Sequence, residues 1–388
     1  MLDLSRQYER LRPEILAAIE RVCASQHYIL GEEVSALEHA LAQFTGAAAA
    51  VGCASGTDAL WLALVAAGVG PGDAVITSPF SFFASASAIV RAGATPVFVD
   101  IDPQTFNLDP MQLEKALQSD KSRKLRAVLP VHLYGQCADM DVITRLAADA
   151  KISVIEDAAQ AIGATWNGRA AGSLGVAAAF SFYPTKNLSA YGDAGAVTTM
   201  DSDFAEHMRR LRNHGSPRRY VHEEFGWNSR LDSIQAAILL VKMRYISEWN
   251  EQRRQRAATY DELLISAGLA MASSENGTDT PISERTKNHF LALPCRDPRV
   301  QHVFHQYVVR AARRDELRAF LSERGVGSEI YYPIPLHLQS CFAYLGYRAG
   351  DLPESERAAE EVAALPIFPE LREDEQRRVV ETIAEFYS

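Results

Sequence analysis

Val154-Ile155-Glu156-Asp157-Ala158-Ala159-Gln160 passes from apolar to acidic to small side chains within seven residues. Its apolar start reads as a buried strand, and two acids close it. Open α/β sheets bind their ligands outside the carboxyl ends of their strands. An acid at such a place either faces a ligand or caps a helix start. This segment alone leaves both readings open. Asp157 precedes two alanines and Gln160, which leave room for a flat ring, and Glu156 need not share its role.

The pattern around this stretch repeats it. Residues 49–53, 74–77, 96–100, 127–131 and 153–155 read as short strands, and 57–67, 81–91 and 141–150 as helices. Gly68-Val69-Gly70-Pro71-Gly72-Asp73 and Gly93-Ala94-Thr95-Pro96 punctuate the joints. Strand–helix alternation implies an α/β fold, with a mainly parallel sheet covered on both faces. Near residue 231 the pattern changes. Residues 231–267 read as one long helical stretch, nearly free of Gly and Pro. Residues 272–287 are polar and read as a loop or hairpin. A strand-like run at 305–310, a helix at 315–324, a strand-like run at 327–331 and a last helix near 374–386 follow. The expected organisation is a large domain over residues 1–240 and a smaller α+β domain over residues 241–388.

Bulk properties narrow the function. The 388 residues are 47% hydrophobic and 23% charged, which supplies apolar material for a large core. The net charge of −10 argues against a nucleic-acid binder, because phosphate-backbone affinity comes from a surplus of Lys and Arg. It leaves room for a local anion site. Residues 1–20 carry charges throughout and lack a signal-type apolar core. The most apolar stretch, residues 61–70, is too short to cross a bilayer, so no membrane role is expected. Five scattered cysteines (Cys23, Cys53, Cys137, Cys295 and Cys341) read as reduced, buried thiols of a cytoplasmic protein.

Two further segments carry chemistry. Ala54-Ser55-Gly56-Thr57-Asp58-Ala59-Leu60 lies between a strand and an apolar helix. Small residues there let an anion approach the free N–H groups of the helix start. An ordinary helix cap by Ser55 or Thr57 explains the same letters. The second is Phe180-Ser181-Phe182-Tyr183-Pro184-Thr185-Lys186-Asn187-Leu188-Ser189-Ala190-Tyr191-Gly192-Asp193-Ala194-Gly195. A lysine among aromatic and hydroxyl side chains is open to imine formation, since burial favours its neutral form. A solvated surface lysine is the plainer alternative.

Taken together, these segments resemble the pyridoxal phosphate (PLP)-dependent nucleotide-sugar aminotransferases of the DegT/StrS type. The resemblance runs through Gln7-Tyr8, Tyr28-Ile29-Leu30-Gly31, Pro130-Val131-His132-Leu133-Tyr134-Gly135 and Leu211-Arg212-Asn213-His214-Gly215. It continues through Asn228-Ser229-Arg230-Leu231-Asp232 and Tyr332-Pro333-Ile334-Pro335-Leu336-His337. It implies PLP-transferase fold type I: a mixed, mostly parallel seven-stranded sheet and a smaller C-terminal domain, in a homodimer with shared active sites. It implies that Lys186 holds PLP as an imine and then moves protons. Asp157 would pair with the ring nitrogen, Gln160 would bond the ring hydroxyl, and Phe82 would stack on the ring. Gly56, Thr57 and Ser181 would hold the phosphate, and Asn228 would reach the phosphate in the neighbouring subunit. Tyr332 and His337 would touch the sugar nucleotide. Glutamate is the expected amino donor, and a 3-keto nucleotide sugar the expected acceptor. Ser189 and Ala194 stand where the family usually has glycine, and Tyr331 where histidine is common. Two readings compete: a regulatory protein that only binds PLP or a sugar nucleotide, and a PLP-dependent sugar dehydratase. Those dehydratases carry histidine at the lysine position, and Lys186 argues against that reading.

The remaining candidates have plainer explanations. His302-Val303-Phe304-His305 lacks acidic or cysteine companions at ligand spacing, so no metal site is expected. Residues 208–220 hold five arginines, mostly a solvated helix end and loop. Arg212 or Arg219 is a candidate for the diphosphate of a sugar nucleotide. The four tryptophans read as core or dimer contacts.

Overall fold

The computed structural model describes residues 2–119, 124–271 and 290–388. Strands β1 (Ala49–Cys53), β2 (Ala74–Thr77), β3 (Thr95–Phe98), β4 (Leu125–Leu129), β5 (Ser153–Asp157), β8 (Ala177–Ser181) and β9 (Gly195–Thr199) form the central sheet. Between β5 and β8 lie the two-residue strands β6 (Thr165–Trp166) and β7 (Arg169–Ala170). The sheet order is β1-β9-β8-β5-β4-β2-β3. Only β9 runs against its neighbours; the other pairings are parallel. This is the mixed, mostly parallel seven-stranded sheet that the alternation and the resemblance call for.

Helices α1 (Leu4–Ser25), α2 (Glu32–Thr45), α3 (Gly56–Ala66), α4 (Ala84–Arg91), α5 (Pro110–Ser119), α6 (Met140–Ala150) and α7 (Ser202–Leu211) accompany the sheet. Side chains cap several of them. Ser55 Oγ accepts from the Asp58 N–H at 3.1 Å, and Asp139 and Asp201 cap α6 and α7 in the same way. Helix α3 has Ala59 to Leu64 all buried, so it is apolar on every side. It lies inside the molecule, and its N-terminus reaches the carboxyl edge of β8. Close approach there requires Gly56, whose added Cβ would fall 2.5 Å from the Cβ of Ser181.

The stretch read as one long helix is two: α8 (Ser233–Met243) and α9 (Ile246–Ser266). No Gly or Pro marks the break. It coincides with tertiary contacts, since Arg244 pairs with Glu14 of α1 and the Tyr245 hydroxyl donates to the same carboxylate at 3.0 Å. Beyond α9, β10 (Leu291–Ala292), β12 (Tyr307–Ala311) and β13 (Val362–Leu365) make a small sheet. Helices α10 (Arg314–Glu323), α11 (Pro353–Glu361) and α12 (Glu373–Tyr387) accompany it. Tyr260, Tyr307, Leu317, Leu321, Val379 and Ile383 share an apolar cluster in this part. The two-residue strand β11 (Val300–Gln301) pairs back onto β6.

Two smaller expectations change. Residues 327–331 form no strand; Glu329 makes a single bridge to Ala364. Of the five cysteines, Cys53 and Cys137 are buried, but Cys23 and Cys341 are exposed. The expected loop at 272–287 lies outside the described residues. Among the described residues, no helix is long and apolar enough to cross a membrane.

Candidate active site

Strand β5 ends in two buried acids with different surroundings. Successive side chains of a strand point to opposite faces. Glu156 points toward the 172–175 loop, where its carboxylate accepts from the Gly172, Leu174 and Gly175 amides at 2.8–2.9 Å. His132 Nε2 lies 3.0 Å away on the same carboxylate. The Nδ1 of His132 accepts from the Ala138 N–H at 3.2 Å, so Nε2 bears the hydrogen and donates to Glu156. Glu156 therefore ties the fold together.

Asp157 faces a cavity. Its Oδ2 accepts from Ser85 Oγ at 2.6 Å, and its Oδ1 from the Ala159 N–H at 3.2 Å. Burial raises its pKa above the ordinary aspartate value; the Ser85 bond and the Lys186 charge oppose that rise. Ser85 in turn contacts Ser81 at 2.7 Å.

Lys186 belongs to a loop between β8 and β9 that folds back on itself. The Phe182 amide donates to Ala194 O at 2.8 Å, Ala190 N–H to Phe182 O at 2.7 Å, and Lys186 N–H to Tyr183 O at 2.8 Å. The loop presents the partly buried Lys186 side chain to the same cavity as Asp157. Burial lowers its pKa to about 8, and the Asp157 charge works the other way. An amine so tuned is neutral in about a tenth of molecules at pH 7, far more than an ordinary lysine, and the neutral form is the one that attacks a carbonyl.

The cavity holds about 710 Å³. Gly56, Thr57 and Ser181 line its α3 end, where the first helical amides lack intrahelical acceptors. Phe82, 59% exposed, presents its ring to it. Gln160 lines it too; its Oε1 accepts from the Tyr134 N–H at 2.6 Å, and its Nε2 donates to the Tyr332 hydroxyl at 3.1 Å. Tyr332 also lines the cavity, its ring 6.2 Å from that of Phe82.

Three sequence candidates lie elsewhere. Arg212 is buried and donates to Glu38 and to the Gly52 carbonyl at 2.5 Å, so it braces β1 against α2. His337 is buried with its Nε2 3.0 Å from Glu356, outside the cavity. Neither Arg212 nor His337 lines the cavity that holds Lys186 and Asp157. The same short local spacing marks a structural and a binding arginine or histidine alike. Asn228 is exposed and outside the cavity of its own chain, next to the exposed Trp227 and Phe225.

Sequence reading missed Ser85, Tyr183, Thr185, Gln306 and Ile330. Ser85 looked like an ordinary helix residue, and only the fold brings it to Asp157. His305, set aside with His302 as a metal ligand, lines the cavity. Burial holds it well below the ordinary histidine range, with Lys186 adding to the effect. It is neutral there, and its Nδ1 lies 3.2 Å from Asn187 Oδ1.

An amine and a carboxylate that influence each other's ionisation, at the N-terminus of a buried helix in an α/β sheet, define an aminotransferase-type site. The chain matches the model of the DegT/DnrJ/EryC1/StrS aminotransferase family over residues 9–384 and belongs to that family. It is 52% identical to a "Pleiotropic regulatory protein" of Geobacillus stearothermophilus, covering 100% of this chain and 98% of that one. It is 42% identical to the dTDP-3-amino-3,4,6-trideoxy-alpha-D-glucose transaminase of Streptomyces venezuelae, covering 99% and 95%. The crystal structure of S. venezuelae DesV in complex with a ketimine intermediate superposes with a TM-score of 0.90 at 42% identity, over 99% of this chain and 97% of that one. The chain is an enzyme of the sugar aminotransferase type.

Proposed function

We propose that the chain moves an amino group from glutamate to carbon 3 of a keto sugar linked to a nucleoside diphosphate, with PLP as its resident cofactor. The observation that carries this is the shared cavity of Lys186 and Asp157 at the α3 N-terminus. The residues fit PLP. Gly56, Thr57 and Ser181 offer amides and a hydroxyl to its phosphate, Phe82 offers a ring face, and Asp157 offers a buried carboxylate to its ring nitrogen. When bound, PLP supplies an electron sink for the carbanion formed at the substrate carbon.

The protein's own contributions follow. Lys186 would hold the cofactor through Nζ, and its amine, facing the cavity, would be placed to take up and return a proton at the substrate carbon. Asp157 would face the ring nitrogen and favour its protonated form. Ser85 and the Ala159 N–H hold the Asp157 carboxylate in place. Gln160, whose Nε2 donates to the Tyr332 hydroxyl, would bond the ring hydroxyl, and Tyr332 would face the substrate. Asn228 serves the phosphate site of a second copy. Its exposure, beside Trp227 and Phe225, supports a homodimer. We divide the chain into a large unit, 1–240, and a small one, 241–388, and place the protein in the cytoplasm. Carbon 3 rests on the S. venezuelae relative.

The name of the 52% relative supports a second reading, in which the protein binds its ligands and regulates without turnover. The absorption spectrum of the purified protein before and after adding glutamate separates the two. A yellow band that bleaches, and returns with a keto nucleotide sugar, supports transamination. A band that no amino donor changes supports the regulatory reading. No band even after added PLP overturns the cofactor assignment.

A further inference from the structure

The lysine loop is held from outside the cavity by a second buried lysine. Lys242, in α8, is 1% exposed. Its ammonium donates to Ser189 Oγ at 2.9 Å and sits 4.4 Å from the centre of the Tyr191 ring. Among the described residues, no carboxylate lies within ion-pair distance of it; Glu370 acts on it from farther off. Burying an ammonium without a carboxylate is unfavourable, and a cation over an aromatic face with one hydroxyl acceptor offsets only part of that. Both compensating contacts lie on the loop that carries Lys186.

Other contacts converge on the same loop. The Tyr191 N–H donates to Gln235 Oε1 of α8 at 2.9 Å. Asn187 donates to Asn250 Oδ1 at 2.9 Å and to the Val303 carbonyl at 3.2 Å. The loop is thus pinned on α9 next to Lys186 and on α8 three and five residues later. The Ser189 hydroxyl is an acceptor that a glycine at this position lacks.

We infer that Lys242 is a positioning residue for Lys186: through Ser189 and Tyr191 it fixes the loop that aims the Lys186 amine into the cavity. The inference rests on the proposed role of Lys186. The aim of a reacting group matters because a misplacement of about 1 Å can cost about 100-fold in rate.

The test compares Lys242→Met, Lys242→Arg, Ser189→Ala and the double variant Lys242→Met/Ser189→Ala. One readout is kcat against KM for the amino donor. The other is the rate at which Lys186 is reductively methylated in the cofactor-free full chain, followed by mass spectrometry. Lys242→Met and Ser189→Ala are each expected to lower kcat about tenfold at unchanged KM. Both should alter Lys186 methylation, the double variant should do no more than Lys242→Met alone, and Lys242→Arg should recover much of the loss. Effects that multiply in the double variant, or a parental methylation rate in both single variants, would overturn the inference. If Lys242→Met does not fold, Ser189→Ala, which removes one oxygen, decides alone by the same two readouts. Methylation needs neither cofactor nor substrate, so its outcome stands apart from whether the protein transaminates.

Discussion

Glu156 and Asp157 are consecutive carboxylates on one strand, and they belong to different regions of the molecule. On the Glu156 side, four donors converge: three loop amides and His132. A carboxylate has about four acceptor positions, so Glu156 is satisfied by the protein alone. On the Asp157 side, Ser85 and one amide are the two hydrogen-bond donors, and the rest of the group faces the cavity. Matched donors mark the acid that holds the fold. Incomplete matching beside a buried amine marks the acid that does chemistry.

The largest effect expected from breaking this contrast is at Lys186. Lys186→Ala should abolish turnover and still allow PLP to bind non-covalently; turnover retained without an added amine would remove Lys186 from the mechanism. Asp157→Ala comes next, with a rate loss of about 100- to 1000-fold. Its midpoint of urea unfolding should stay near that of the parent, because the acid is only partly satisfied. A variant as active as the parent would leave Asp157 without its role.

Glu156→Ala should invert that pattern. Loss of a buried, fully bonded carboxylate leaves three amides and His132 without their acceptor. The expected cost is about 3–5 kcal/mol of stability, read as a lower urea midpoint. The folded fraction should keep most of its activity per molecule. If Glu156→Ala instead unfolds no more easily than Asp157→Ala, the two regions are not divided as described.

Sequence alone brought this contrast only partly into view. The sheet was legible because its strands are short apolar runs separated by helices of the right length, and β2 appears where the letters place it. Asp157, Lys186 and Gly56 stood out as candidates through the composition of their segments, each with a plainer reading beside it, and Phe82 entered only through the family resemblance. The division of labour between Glu156 and Asp157 was not, since it depends on a loop 16–19 residues downstream folding back on one face of β5. Ser85 was hidden for the same reason: its partner is 72 residues away. The partners of Arg212 and His337, Glu38 and Glu356, were hidden too, because their motifs are local while those partners are not. The break between α8 and α9 also comes from a distant residue, Glu14, and no helix-breaking letter announces it.

The smallest predicted effect is electrostatic, and it asks whether the two acids differ in what they do to Lys186. The Asp157 charge raises the Lys186 pKa, against the stronger lowering by burial that leaves it at about 8. Asp157→Asn removes that charge at nearly constant size. The ammonium form loses support, so the Lys186 pKa should fall below about 8. At pH 7 a larger share of the amine is then neutral, and reductive methylation of Lys186 in the cofactor-free chain should run faster than in the parent. The pH profile of that reaction should move toward acid. Glu156→Gln should leave the profile where it was, because Glu156 is not among the charges that act on Lys186. Equal shifts from both variants would mean that the cavity senses the net charge at the end of β5, and that Asp157 has no privileged hold on the lysine.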